Sequence, residues 1–210
     1  MKTKADYRWY NVNWFKRMAP IYDYIEFILG NLRKEVSKKV DKPYAKILDM
    51  ACGTGNQSLA FAKEGFEVTG IDLSPDMLRY AKKKIKRPYK LKFICRDATK
   101  VFYKNSTFDI SSISFGLHDM PEKIGIKILK EMKRVTKKKG KIIIVDYYTP
   151  KTGLSNFLGD KIVKIWETKN YDHFRKSGLD YYLKKTNLEQ SSKESYLLGN
   201  IQIVVCKNIK

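Results

Sequence analysis

The sequence predicts an α/β fold: a doubly wound, mostly parallel seven-stranded sheet with helices on both faces, a C-terminal antiparallel hairpin and a helical N-terminal extension. Three observations carry that expectation. Short β-branched runs alternate with amphipathic stretches over residues 46–146, the pattern of strands paired in parallel through crossover helices. A glycine turn, A-C-G-T-G at 51–55, joins the first of those strands to the first helix of the sheet. Near the end, Gly199-Asn200 separates two strand-like segments, 194–198 and 201–206, and this reads as a hairpin.

Each element has its own signal. Ile21, Ile25, Ile28, Leu32 and Val36 recur at helical spacing, with Pro20 suited to the first turn. Residues 46–49 form a first strand, Gly65 ends the helix after the glycine turn, and 66–71 form a second strand. Ser74-Pro75 starts the next helix with a capping hydroxyl, and Leu78, Ala81 and Ile85 line its apolar face. Residues 91–95 and 108–115 are the third and fourth strands. Ile124, Ile128, Met132 and Val135 mark a helix closed by Lys137, Lys138, Lys139 and Gly140, after which 141–146 form the fifth strand. Residues 152–187 read as one or two aromatic-rich helices. The chain is expected to be one domain over 1–210: a helical N-terminal extension over 1–40, a core built on the glycine turn over 41–150, and further helices with the closing hairpin over 151–210.

Composition narrows the function classes. At 210 residues and 43% hydrophobic the chain can bury one ordinary core. Its longest apolar runs fall far short of the roughly 20 residues that cross a bilayer. MKTKADYRWYN lacks the apolar stretch of a secretory signal, so the cytoplasm is the expected location. Cys52, Cys95 and Cys206 form no C-x-x-C pair, which argues against a disulfide framework or a zinc site and for reduced, buried thiols. Lys and Arg number 43 against 22 Asp and Glu, a formal charge of +21. That balance suits nucleic acid, anionic lipid or an acidic substrate, and equally a solvated lysine-rich surface.

The glycine turn indicates its ligand. A dinucleotide site wants a third glycine three residues on, where this chain has Ser58. Asp49, four residues before Gly53, is a poor neighbour for a pyrophosphate and a good one for a ligand bearing ammonium and sulfonium charges. That favours S-adenosylmethionine over NAD. Asp72, at the end of the second strand, is placed to accept hydrogen bonds from ribose hydroxyls.

The ordered set D-x-A-C-G-T-G, T-G-I-D-L-S-x-x-M-L, R-D-A, D-I-x-x-x-x-F-G and E-M-x-R-V, over about residues 45–146, closely resembles the S-adenosylmethionine-dependent methyltransferases with the Rossmann-like fold. The resemblance implies that Gly53 and Gly55 let the backbone approach the methionine end of the cofactor, with Asp49 and Ala51 beside it and Phe115 close by. Asp72 would hold the ribose, Leu73 and Met77 would flank the adenine, and Asp97 and Ala98 would meet its edge. For Asp97 a plain cap after the third strand is the alternative. M-A-P-I-Y-D-Y-I and F-G-L-H-D-M are similar to segments of the ubiquinone and menaquinone biosynthesis C-methyltransferases, which implies a lid carrying Tyr22 and Asp23. His118-Asp119 stands where those enzymes usually have Arg-Asn.

The acceptor side rests on fewer residues. His118, just past the fourth strand, is the expected base, because open α/β sheets bind ligands beyond the carboxyl ends of their strands. Asp119 is expected either there or as a cap for the helix beginning at Pro121, and His173 is a remoter candidate. The leading expectation is methyl transfer to a small molecule such as a quinol, with peripheral contact to an anionic membrane surface. An RNA methyltransferase using the basic surface, and a S-adenosylmethionine-binding protein without catalysis, are the alternatives.

Overall fold

Strand-forming and helix-forming segments alternate along the chain, and the computed structural model, which describes residues 29, 31–148 and 169–210, shows how they assemble. The first half runs α1 (Leu32–Ser37), β1 (Lys46–Met50), α2 (Asn56–Lys63), β2 (Glu67–Asp72), α3 (Pro75–Lys83), β3 (Leu91–Cys95) and β4 (Phe108–Ser114). A 3-10 turn (Leu117–Asp119), α4 (Glu122–Val135), β5 (Thr136–Tyr147), α5 (Lys169–Thr186), β6 (Glu189–Tyr196) and β7 (Ile201–Lys207) follow. The seven strands form one sheet in the order β3-β2-β1-β4-β5-β7-β6. β1 to β5 pair in parallel, and β7 lies antiparallel to both β5 and β6.

Period-two alternation divides the core between the two faces. Leu48 and Met50 of β1, with Ile142 and Ile144 of β5, pack under Ile128 and Met132 of α4 and Phe174 and Tyr182 of α5. Ile47, Ile143 and Val145 face the other way, against Leu32 and Val36 of α1 and Phe61 of α2. Residues 142–145 are wholly buried, as expected of a strand covered on both faces. α5 bends at Gly178, whose φ is +71°.

The Ser74 hydroxyl caps α3 by accepting the Met77 N–H at 3.3 Å, as its sequence predicts. Ser58, in place of the third glycine of the turn, is compatible with tight helix-on-strand packing because the facing strand supplies the glycine. A Cβ on Gly70 would lie 2.9 Å from the Ser58 hydroxyl and 2.7 Å from the Phe93 ring.

Several expectations need correction. Lys137, Lys138 and Lys139 do not close α4, which ends at Val135; the pairing Phe108↔Thr136 is followed by Ile110↔Lys141, so 137–140 loop out of the ladder. Gly140 is needed there for space, since a Cβ would collide with the Asp109 carbonyl. Asp119 does not cap α4: it lies in the 3-10 turn, and no side chain caps that helix. β6 begins at Glu189, earlier than its sequence suggests, because E-Q-S-S-K-E-S-Y is a polar edge strand with no apolar face to reveal it. Of the three thiols only Cys206 is buried; Cys95 is exposed and Cys52 half-buried, and all are free.

The E-M-x-R-V segment is a staple. Arg134 donates to the carbonyls of Val101 and Tyr103 and to Glu131, whose Oε1 accepts the Val101 N–H at 2.8 Å. Together they hold the chain between β3 and β4.

The Phe93 ring is pressed between Gly55 and Gly70, so it has little room to yield. Gly70→Ala is therefore expected to overpack this layer at about 1–3 kcal/mol and lower the ligand-free melting temperature by roughly 2–10 °C. An unchanged melting curve would show that the layer can relax.

Candidate functional site

The strand order reverses between β1 and β4, and at such a switch point the chains leave in opposite directions and open a crevice beyond the strand ends. Both strands end there in left-handed backbone: Ala51 after β1 and Phe115 after β4 each have φ of 52°. Non-glycine residues rarely adopt this conformation, and where they do the surroundings impose it. The Cys52 N–H donates to the Ile71 carbonyl at 2.9 Å and the Phe115 N–H to the Val145 carbonyl at 2.8 Å.

The two glycines of the turn have different tasks. Gly55, at φ +77°, caps α2, and a Cβ there would strike the Phe93 ring at 2.6 Å and Ala81 at 2.8 Å. Gly53, at φ +54°, faces open space, with nothing within 4 Å of where a Cβ would stand. Its N–H donates to Asp72 Oδ2 at 2.8 Å, while Asp72 Oδ1 accepts the Ser74 N–H at 2.8 Å. Asp72 therefore clamps the glycine turn to the end of β2. Burial raises its carboxyl above the ordinary range, against the pull of those backbone donors.

Asp49 is 1% exposed. Its Oδ2 accepts the Ser58 hydroxyl at 2.6 Å, and its Oδ1 has no hydrogen-bond partner among the described residues. Burial pushes this carboxyl up to about 6, even though the Ser58 hydroxyl and the Arg33 charge favour its ionised form. Arg33 lies over the Phe115 ring, 5.3 Å from its centroid. Burial and the negative charges of Asp72 and Asp49 hold the Cys52 thiol well above its usual range, so it is no nucleophile.

The remaining expected residues surround this centre. Leu73 is half-buried against the core, and Met77 is buried. Cys95 pairs with Asp72 across the ladder, and the Arg96 N–H donates to the Asp72 carbonyl at 2.9 Å, which brings R-D-A beside the end of β2. Asp97 Oδ1 accepts the Thr99 N–H at 2.9 Å and the Thr99 hydroxyl at 2.6 Å, so this oxygen forms the cap offered as its alternative role. Ala98 is buried in the core. Tyr22, Asp23 and the rest of the expected lid lie outside the described residues.

His118 sits on the 3-10 turn after β4, buried. Its Nδ1 is 2.5 Å from Oδ1 of Asp146, a wholly buried residue near the end of β5. Tyr147, Tyr171 and Phe174 surround the ring edge-on, with centroids 4.7, 6.2 and 6.4 Å away. Asp146, Arg33 and Tyr171 carry no signal in the motifs. The one hint was an acid at the end of a fifth strand, where ligands of open sheets collect. His173 stands apart from this cluster: it is half-exposed and pairs with Glu122 at 2.9 Å.

Residues 47–140 match the model of a methyltransferase domain. The chain is 43% identical over 119 residues to the demethylmenaquinone methyltransferase of Streptomyces avermitilis, an alignment covering 56% of this chain and 49% of that protein. With the demethylmenaquinone methyltransferase of Paenarthrobacter aurescens it shares 38% over 142 residues, 65% of this chain and 54% of the other. It thus spans about half the length of these curated relatives. In three dimensions it resembles a SAM-dependent methyltransferase from Methanosarcina mazei, with a TM-score of 0.65 at 19% identity over 82% of this chain and 96% of that one. It also resembles a [4+2]-cyclase, with a TM-score of 0.66 at 16% identity over 85% of this chain and 81% of that one. Likeness at such identities speaks for the fold alone, which by itself dictates no reaction. Sheet order, glycine turn and sequence relatives agree: residues 47–140 match a methyltransferase domain, set on a sheet like that of the S-adenosylmethionine-dependent methyltransferases with a Rossmann-like fold, which the chain resembles.

Proposed function

We propose that the chain transfers a methyl group from S-adenosylmethionine to a small-molecule acceptor, a quinol or a similar hydroxylated ring such as the names of its relatives suggest. One observation carries this reading. The half-satisfied Asp49 carboxylate and the buried His118–Asp146 pair lie at the same ends of β1, β4 and β5, neighbours in the sheet.

The residues fit the cofactor. A buried carboxylate with one unpartnered oxygen calls for a cation, and the open side of Gly53 leaves the backbone accessible beside it. When bound, S-adenosylmethionine supplies an electrophilic methyl on sulfur and departs as a neutral thioether. Asp49 takes the ammonium of its amino-acid end, near Ala51, Gly53 and Gly55. Each Asp72 oxygen holds one backbone N–H and keeps capacity to accept from a ribose hydroxyl. Leu73 and Met77 flank the adenine, Asp97 and Ala98 meet its edge, Phe115 borders the methyl, and Tyr22 belongs to the covering lid. On the acceptor side His118 removes the hydroxyl proton as the new bond to the methyl forms, so one proton leaves with the two products. The aromatic rings around His118 keep water away. An acceptor of this kind partitions into lipid, and the +21 charge suits a peripheral anionic surface.

Calorimetric titration with S-adenosylhomocysteine tests the cofactor half. Asp49→Asn should weaken binding at least tenfold, as expected for a lost charged hydrogen bond, without lowering the ligand-free melting temperature, because a buried charge is removed. The pH dependence has a definite sign. A raised carboxyl binds the cation only when ionised, so affinity should rise as pH passes upward through about 6 and then level off. The same shift makes ligand-free stability fall as Asp49 ionises between about 4 and about 6. Asp49→Asn should flatten both curves, and an affinity indifferent to pH in the parent would contradict the assignment.

His118→Gln tests the acceptor half. It should leave S-adenosylhomocysteine affinity intact and slow turnover of hydroxylated acceptors by about 10²–10⁴-fold. Undiminished turnover would remove His118 as the base, and salt-sensitive methylation of RNA in place of any small acceptor would overturn the substrate class.

A further inference from the structure

Asp146 is the most heavily used acceptor near the site. Its Oδ2 receives the N–H of Leu117 at 3.0 Å and of His118 at 3.3 Å. Its Oδ1 receives the N–H of Tyr147 at 2.9 Å and faces His118 Nδ1 at 2.5 Å. Three backbone donors converge on one carboxylate with no exposed surface. A carboxylate so used is an acceptor on both oxygens, so the proton of the short contact comes from the imidazole. In a neutral imidazole only one nitrogen carries a proton, and the partner of one nitrogen decides the role of the other.

We propose that Asp146 is the positioning residue of this site: it holds His118 with Nδ1 protonated and thereby makes Nε2 the proton-accepting atom. The geometry supports this beyond a single contact. The same carboxylate ties down the N–H of His118 itself, so the backbone and the ring of the histidine are fixed from one point. Tyr147 follows Asp146 directly and meets the imidazole edge-on, while Tyr171 and Phe174 close in from α5. The ring has little freedom to turn and present its other nitrogen. A histidine so held passes a proton one way, from an acceptor hydroxyl to Nε2, and Asp146 stabilises the positive charge that results. The acceptor class this fits is a weakly acidic ring hydroxyl, which needs its proton removed as it is alkylated. The proton-removal role rests on the methyl-transfer reading; the tautomer does not.

Nitrogen-15 spectroscopy of the full chain labelled at histidine reads the tautomer directly. Only two histidines are present, and His173→Gln, at a half-exposed position whose ring pairs with Glu122, leaves His118 alone in the spectrum. The expected result is a protonated Nδ1 and an unprotonated Nε2 above neutral pH; the opposite tautomer would overturn the proposal, and this measurement needs no change at Asp146. Turnover provides a second arm. Asp146→Asn should lower kcat by about 10²-fold or more, through the wrong tautomer, with S-adenosylhomocysteine affinity unchanged. Introduced into His118→Gln, the same substitution should cost nothing further, because a positioning residue acts only through the group it positions. A further fall of similar size in the double variant would make Asp146 a general support of the turn and contradict the proposal. If the tautomer is as expected and no hydroxylated acceptor is turned over, the methyl-transfer reading fails and the positioning by Asp146 stands.

Discussion

The parallel ladder between β1 and β4 is the constraint on which the rest depends. β1 pairs with β2 on one side and with β4 on the other, with Asp49 flanked by Gly70 and Ser112 in register. This pairing puts the carboxylate on a central strand, near its carboxyl end and 1% exposed. It also forces the chain to leave both strands at one edge in opposite directions, through the left-handed Ala51 and Phe115. The glycine turn, the Asp72 clamp and the 3-10 turn bearing His118 all arise from those two exits. Shifting β4 by one residue would exchange the faces of every side chain it carries, so the site and the core are specified by the same register.

Two aspartates on adjacent central strands show how position sets chemistry. Asp109, near the start of β4, is subject to burial, but Lys42, the Lys46 N–H and Lys137 outweigh it and hold the carboxyl at about 2. That group favours the ionised fold and contributes stability above about pH 4 that is lost as pH falls toward 2. Asp49, at the other end of β1, has the Ser58 and Ser112 hydroxyls and the Arg33 charge against deeper burial and the negative charge of Asp72, and is raised to about 6. A fold selected for stability alone would supply Asp49 Oδ1 with a donor of its own. Its absence among the described residues is the kind of local deficit that accumulates where a ligand completes the structure.

What could be read in the sequence was local or periodic. The cap at Ser74, the glycine turn, the buried run 142–145 and the closing hairpin follow from neighbouring residues, and they stand where the sequence puts them. What could not be read depends on pairs distant along the chain. His118 drew attention by its place after a strand, but its partner Asp146 is 28 residues away and is brought to it only by the β4–β5 ladder. Lys137, Lys138 and Lys139 have the composition of a helix end and instead form the bulged start of β5, where Gly140 lets the chain pass against the Asp109 carbonyl. β6 was obscured by its polarity, and the apolar expectation for Cys95 failed because it ends β3, a sheet-edge strand only partly covered. The role of the Glu131–Arg134 pair was likewise not legible: its segment resembles one of the methyltransferases, yet it staples the 101–105 stretch and touches neither candidate centre.

The most direct test of the account is a crystal structure with S-adenosylhomocysteine bound. The account requires the ligand ammonium within hydrogen-bond distance of Asp49 Oδ1, the ribose hydroxyls on the Asp72 carboxylate, and the sulfur directed toward the side of the crevice where His118 and Asp146 stand. A ligand seated elsewhere on the chain, or one whose ammonium leaves Asp49 Oδ1 without a partner, would contradict it.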